Sequence, residues 1–195
     1  MNPTPAIAMY EFDSVADGTR VADRMIKQAP LTLFRAGTTH PGKYLLLVGG
    51  EVGAVEVADA VARREPAGVL GDAIFLPDAH HKLQAALWGR RVSAEADTLA
   101  VLECPAMPAL VGGVDRAVKT APIEIVDLRL GDALGGRGVA QFCGVQADIE
   151  ASIEAALRTM SPRHTAKHAI IPRRADALRA CLDQSSEFGS CSSGV

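Results

Sequence analysis

The chain repeats itself. Residues 23–30 read DRMIKQAP and residues 115–122 read DRAVKTAP, and each stretch follows an apolar, strand-like run, AIAMYEF (6–12) and TLAVLEC (98–104). The offset is 92 residues from Ala6 to Pro30, and seven of those 25 aligned positions are identical. The match resumes at offset 94, GKYLLLVGG (42–50) against GRGVAQFCG (136–144), and ends at offset 95, IFLPDAHHKLQAAL (74–87) against AIIPRRADALRACL (169–182). A repeat this long marks a duplicated domain, because solenoid periods are shorter. Duplication favours assembly over catalysis, since a symmetric particle uses one surface many times.

The 195 residues therefore divide into two domains of roughly 90. We read the first as residues 5–88, a polar linker as 89–97, the second as 98–183, and 184–195 as a small, polar, mobile tail. Within the first half the pattern predicts strand 6–12, helix 15–28, strands 31–37 and 43–49, helix 52–64, strand 69–76 and helix 79–88. The second half predicts strand 98–104, helix 107–120, strands 123–130 and 137–143, helix 147–160, strand 166–171 and helix 174–183. Helix 52–64 shows the 3.6-residue period at Val52, Val55, Ala58 and Ala62. Pro30 and Pro122 end the first helix of each half, because proline lacks an amide proton and disfavours helix at the residue before it. Each half is thus β-α-β-β-α-β with an added helix, the order of a ferredoxin-like α+β domain.

Composition narrows the partners. The chain is 48% hydrophobic but 4% aromatic, which suits helices lying closely on a sheet through small side chains. A net charge of −3 and a pI near 5.9 give no reason to expect nucleic acid or an anionic membrane. No apolar run approaches the roughly 18–20 residues that span a bilayer, and the N-terminus lacks the pattern of a signal peptide. A cytoplasmic protein is expected. Cys104, Cys143, Cys181 and Cys191 form no C-x-x-C pair, so they read as reduced thiols, the first three as small core hydrophobes.

The element order, the helix end ADRMIKQAP, the strand-loop-strand GTTHPGKYLLLVGGEVGAVEVA and the final IIPRR resemble the bacterial microcompartment (BMC) shell domain. The tandem copy is similar to the trimeric, T-type shell proteins, over residues 5–183, with the elements unpermuted. The resemblance implies a homotrimer that mimics a hexamer, packed edge to edge with other shell proteins around a cytosolic organelle, with small metabolites crossing a central pore. It implies a structural protein rather than an enzyme, with no catalytic residues.

The same resemblance places the pore on the loop between the second and third strands. In the first half that loop is Gly37, Thr38, Thr39, His40, Pro41 and Gly42; in the second it is Gly131, Asp132, Ala133, Leu134, Gly135 and Gly136. It implies tile-edge contacts for Lys27, Lys119 and Arg173, while Asp78 stands where the first half would carry the matching arginine. In some related tandem shell proteins a cysteine in the pore loop holds an iron–sulfur cluster. Neither loop has a cysteine here, so no cofactor is expected. Three copies of His40 about one axis form a polar lining; a bound zinc is the sharper alternative.

Other residues carry weaker signals. GGRG (135–138) lies between strands and is no dinucleotide loop. His164 and His168 are spaced i,i+4 but read as surface residues, and His80 and His81 receive no role. Glu11 and Glu103 occupy matched places and read as sheet-edge residues rather than an acid–base pair. Two readings stand beside the shell protein: a small-metabolite-binding or regulatory protein of tandem ferredoxin-like domains, and an enzyme with a site between the halves.

Overall fold

A computed structural model describes residues 4–65, 68–131 and 134–184. The first half runs β1 (Ala6–Phe12), α1 (Val15–Gln28), β2 (Leu33–Thr39), β3 (Lys43–Gly50), α2 (Val52–Arg63), β4 (Leu70–Leu76) and α3 (His81–Leu87). The second repeats it as β5 (Thr98–Cys104), α4 (Met107–Thr120), β6 (Glu124–Leu130), β7 (Gly138–Gly144), α5 (Gln146–Thr159), β8 (Lys167–Ile171) and α6 (Asp176–Gln184). Each half is one antiparallel four-stranded sheet, ordered β2-β3-β1-β4 and β6-β7-β5-β8. Two ferredoxin-like α+β domains follow each other in unpermuted element order.

The strand pairing repeats with the sequence. Glu11 lies opposite Leu45 and Asp72, and its copy Glu103 lies opposite Val139 and Lys167. The offsets of 92, 94 and 95 residues therefore hold in space. The register shifts between Glu11 and Phe12 where β1 pairs β4, and at Val126, where an extra residue bulges β6. That residue is buried with Ala94 and Cys143.

The first sheet has two apolar faces. Along β1, Ala6, Ala8, Tyr10 and Phe12 point to α1 and α2 and form a core within the first half. The alternate residues Ile7 and Met9 point the other way, as the two-residue strand period requires. They join Leu47, Leu83 and Leu87 in a second core with Met107, Leu110, Val111, Val114 and Phe142 of the second half. The halves thus share an apolar core, and the second half packs on the back of the first sheet.

Element ends coincide with the sequence expectation or shift by one or two residues, and two shifts have clear causes. Strand β2 runs 33–39 rather than 31–37. After Pro30 the chain turns, with Leu31 N–H donating to the Ala29 carbonyl, and pairing with β3 then continues to Thr39 opposite Lys43. Helix α3 begins at His81 because the His80 side chain accepts the Lys82 amide and caps it. The linker is not loose. Ala94 is buried, Ser93 Oγ and the Ala94 amide donate to Asp183, and Arg91 donates to the Leu182 carbonyl at 2.7 Å. The expected tail beyond Gln184 lies outside the described residues.

The candidate assembly joint and pore loops

Helix α4 cannot cap its own start. Its N-cap is Ala106, which has no side-chain acceptor, whereas α1 opens on Ser14, whose hydroxyl accepts the Asp17 amide at 3.2 Å. The first half supplies what α4 lacks. Glu11 Oε2 accepts the Met107 amide at 3.1 Å, and Asp72 Oδ2 accepts the Ala109 amide at 3.0 Å. Both carboxylates are buried, and both face the positive end of the helix dipole. Lys43 pairs with Glu11 and donates to the Pro105 carbonyl at 3.1 Å. Asp72 Oδ1 also takes Arg163 at 2.9 Å and lies 3.3 Å from His164 Nε2.

These contacts correct two sequence expectations. Glu11 lies on β1, an inner strand, so it is not a sheet-edge residue; it is a capping group for the other half. Its copy Glu103 is a third exposed and sits 3.6 Å from Arg137. His164 is largely buried at the joint while His168 is exposed on β8. The i,i+4 spacing lies across a strand start, not on a helix. Asp72 was passed over entirely. Its signal was present: aligned at offset 95 it stands against Lys167, a reversal of charge at a matched place.

The other end of α4 is fixed at the same joint. Asp115 is buried; its carboxylate accepts the His80 amide at 2.8 Å and pairs with Lys119 at 2.6 Å. The Lys119 ammonium also donates to the Asp78 carbonyl. Lys27 sits at the matched end of α1 and pairs with the exposed i,i+4 residue Asp23 at 2.7 Å. Its side chain is 71% exposed, that of Lys119 31%. Lys27 thus projects from its helix end, while Lys119 is held within the joint. Arg173 is exposed with φ 48°, and the neighbouring Arg174 is buried and donates to the Ala96 carbonyl.

The loops expected at the pore are brought together. Thr38 and Thr39 prove to be the end of β2, so the first loop is the tight turn His40-Pro41-Gly42, with a cis bond before Pro41. Gly136 lies against it. With φ 79° and a built Cβ only 2.6 Å from Pro41 Cδ, no side chain fits there. Gly131 approaches Thr39 as closely. Leu134 and Gly135 belong to the same turn region, while Asp132 and Ala133 lie outside the described residues. His40, Pro41 and Gly42 are exposed.

Cys104 and Cys143 are buried, and burial pushes both thiols up from their usual range. Cys181 is half-buried, and Cys191 is outside the described residues. Among the described residues no cluster of three His, Cys, Asp or Glu side chains could hold a metal within one chain, and no helix is long and apolar enough to cross a membrane. A 540 Å³ cleft lies between the halves, walled by Arg35, Thr38, Leu47, Trp88 and Leu128, with Arg35 5.7 Å from the Trp88 ring.

Two domains of this fold, joined through the cap of one helix, define a tandem BMC-domain protein. The BMC domain model matches residues 6–77 and 98–174, and the chain belongs to that family. It is 28% identical over 174 residues to the bacterial microcompartment shell protein PduT of Citrobacter freundii, covering 89% of this chain and 95% of that protein. A solved microcompartment protein from Desulfitobacterium hafniense superposes with a TM-score of 0.76 at 29% identity, over 90% of this chain and 98% of the other. A fused, permuted hexameric shell protein of the RMM microcompartment shares the fold, with a TM-score of 0.56 at 22% identity, over 79% of this chain and 83% of that one.

Proposed function

We propose that this chain is a structural shell protein of a bacterial microcompartment, and that three copies close into a ring of six domains. One observation carries the ring. Residues buried at the joint within the chain have copies that lie bare. Leu83 of α3 is 0% exposed and its copy Leu178 38%; Val118 of α4 is 7% exposed and its copy Ile26 52%. Val15 and Phe34 are likewise exposed where their counterparts Met107 and Ile125 are buried. The second half thus carries an open socket, and the first half an open plug. A heterologous contact of that kind repeats until it closes. A duplicated chain that repeats its internal contact between chains gives a threefold ring with pseudo-sixfold form.

In such a ring the turns His40–Gly42 and 134–136 of all three chains face the axis, and small metabolites pass between them. Thr38 and Thr39 complete the lining among the described residues. Lys27 and Arg173 lie at the outer edge and meet neighbouring tiles, and Lys119 supports that edge from within. The role is structural rather than catalytic. Native mass spectrometry tests the ring: three chains are expected, and a stable monomer at micromolar concentration overturns it. Replacing His40 with Ala is expected to alter which solutes pass while the trimer mass stays the same. Elemental analysis of untagged protein separates an open pore from a metal plug, because about one zinc per trimer, lost on replacement, marks the plug.

A further inference from the structure

We infer that the joint between chains is a charge-reversed copy of the joint within the chain, with Lys167 and Arg137 of one chain taking Asp17 and Asp13 of the next. The inference rests on the ring reading above and adds the side chains that specify its register.

The argument transfers each internal contact to its copies. Inside the chain Asp72 meets the position of Ala109. The matched places are Lys167, which replaces Asp72 opposite the repeated glutamate, and Asp17, which replaces Ala109 in the first helical turn. Lys43 meets Pro105. The matched places are Arg137 and Asp13, a second pair of opposite charges. Size changes sides as well. Ile74 of β4 packs on Gly112 of α4, where a Cβ would fall 3.1 Å away. The copies are Ala169 and Arg20, with the small residue now on the sheet and the long one on the helix. All of these second-joint residues except Asp17 are exposed, and the Asp17 side chain remains 37% exposed.

An empty recess marks the place. A cavity of about 120 Å³ is lined by Glu103, Cys104, Pro105, Arg137, Thr165 and Lys167. Glu103, Arg137 and Lys167 are the copies of Glu11, Lys43 and Asp72, the residues that hold the start of α4. The recess is therefore the socket for the start of a helix, and its basic rim suits the acidic start of α1. Arg20 holds the Asp17 carboxylate at 2.9 Å, and its exposed edge faces outward to Lys167.

The reversal also excludes wrong pairings. A first-half socket set against another chain's α1 brings the Asp72 carboxylate to Asp17. A second-half socket set against another α4 brings Lys167 toward Arg163. Alternating halves avoid both like-charge pairs, which is how repulsion enforces specificity.

Charge reversal with rescue tests this on the full chain. Lys167→Glu and Asp17→Lys are each expected to weaken every joint about tenfold or more, which native mass spectrometry reads as dissociation at concentrations where the wild type stays trimeric. The double variant Lys167→Glu/Asp17→Lys is expected to regain the trimer. Ser14 still caps α1 in each, and circular dichroism checks the fold. Arg137→Glu with Asp13→Arg repeats the test at a second pair should one variant fail to fold. A trimeric wild type whose single variants assemble equally well, or whose double variant is no better than the worse single one, overturns the charge-reversed joint and leaves the ring standing. A monomeric wild type overturns the ring itself.

Discussion

The carboxylate of Asp72 accepts the backbone amide of Ala109 at 3.0 Å, so the first half of the chain caps a helix of the second. The same carboxylate holds Arg163 at 2.9 Å. Replacing Asp72 with Ala leaves the half-buried Ala109 amide without its acceptor, while the exposed Arg163 guanidinium turns to water. The expected loss is about 1–3 kcal/mol. Urea unfolding at one fixed protein concentration measures it, because assembly makes stability depend on concentration. A loss restricted to the second half, with the first half melting separately, would show that the shared core does not couple them.

The apolar joint predicts an asymmetry between copies. Leu83→Ala opens a cavity in the core shared by both halves and is expected to destabilise the monomer by about 2–5 kcal/mol. Leu178→Ala, at the matched place on α6, removes a side chain that is 38% exposed. It is expected to change monomer stability by less than about 0.5 kcal/mol, yet to weaken trimer association. Equal effects on monomer stability would contradict the open-socket reading.

The two matched lysines are expected to behave differently. Lys27→Asp removes one exposed i,i+4 pair, worth a few tenths of a kcal/mol. The trimer is expected to stay folded, while sheets or tubes of tiles disappear in electron micrographs. Lys119→Asp sets a second carboxylate beside the buried Asp115 and the Asp78 carbonyl. That variant is expected to lower the melting temperature. Sheet formation by Lys27→Asp equal to wild type would remove Lys27 from the edge.

This difference shows what the sequence can and cannot carry. The repeat gave the element order, the doubled fold and the matched places, because periodicity and proline stops are local. It could not say which copy of a matched residue is buried. Lys27 and Lys119 share the D-x-x-x-K spacing, and Glu11 and Glu103 share a strand position; their surroundings differ because one copy of each surface is already occupied within the chain. The departures from the repeat were more informative than the identities. Asp72 against Lys167, and Ala109 against Asp17, are the residues that distinguish the inner joint from the outer one. The resemblance places Thr38 and Thr39 in the pore loop; pairing with Tyr44 and Lys43 decides for strand.

His80 gives the chain a dependence on pH. Burial disfavours its charged form and so does the adjacent His81; Asp115 opposes them, and Lys82 and Lys119 add to them. Folding therefore lowers its affinity for a proton, and protonation favours the unfolded chain. The stabilisation is whole above the ordinary imidazole value near pH 6.5 and is lost progressively as pH falls below it. Its ring nitrogen also caps α3 by accepting the Lys82 amide at 3.2 Å, which only the unprotonated nitrogen can do. Melting temperature is expected to fall between pH 7 and pH 5. His80→Asn keeps a capping acceptor without a titrating proton, so its curve is expected to be flatter over that window. His40, His81, His164 and His168 remain in both proteins, so the difference between the two curves isolates His80. Parallel curves across the window would show that the proton is taken up elsewhere.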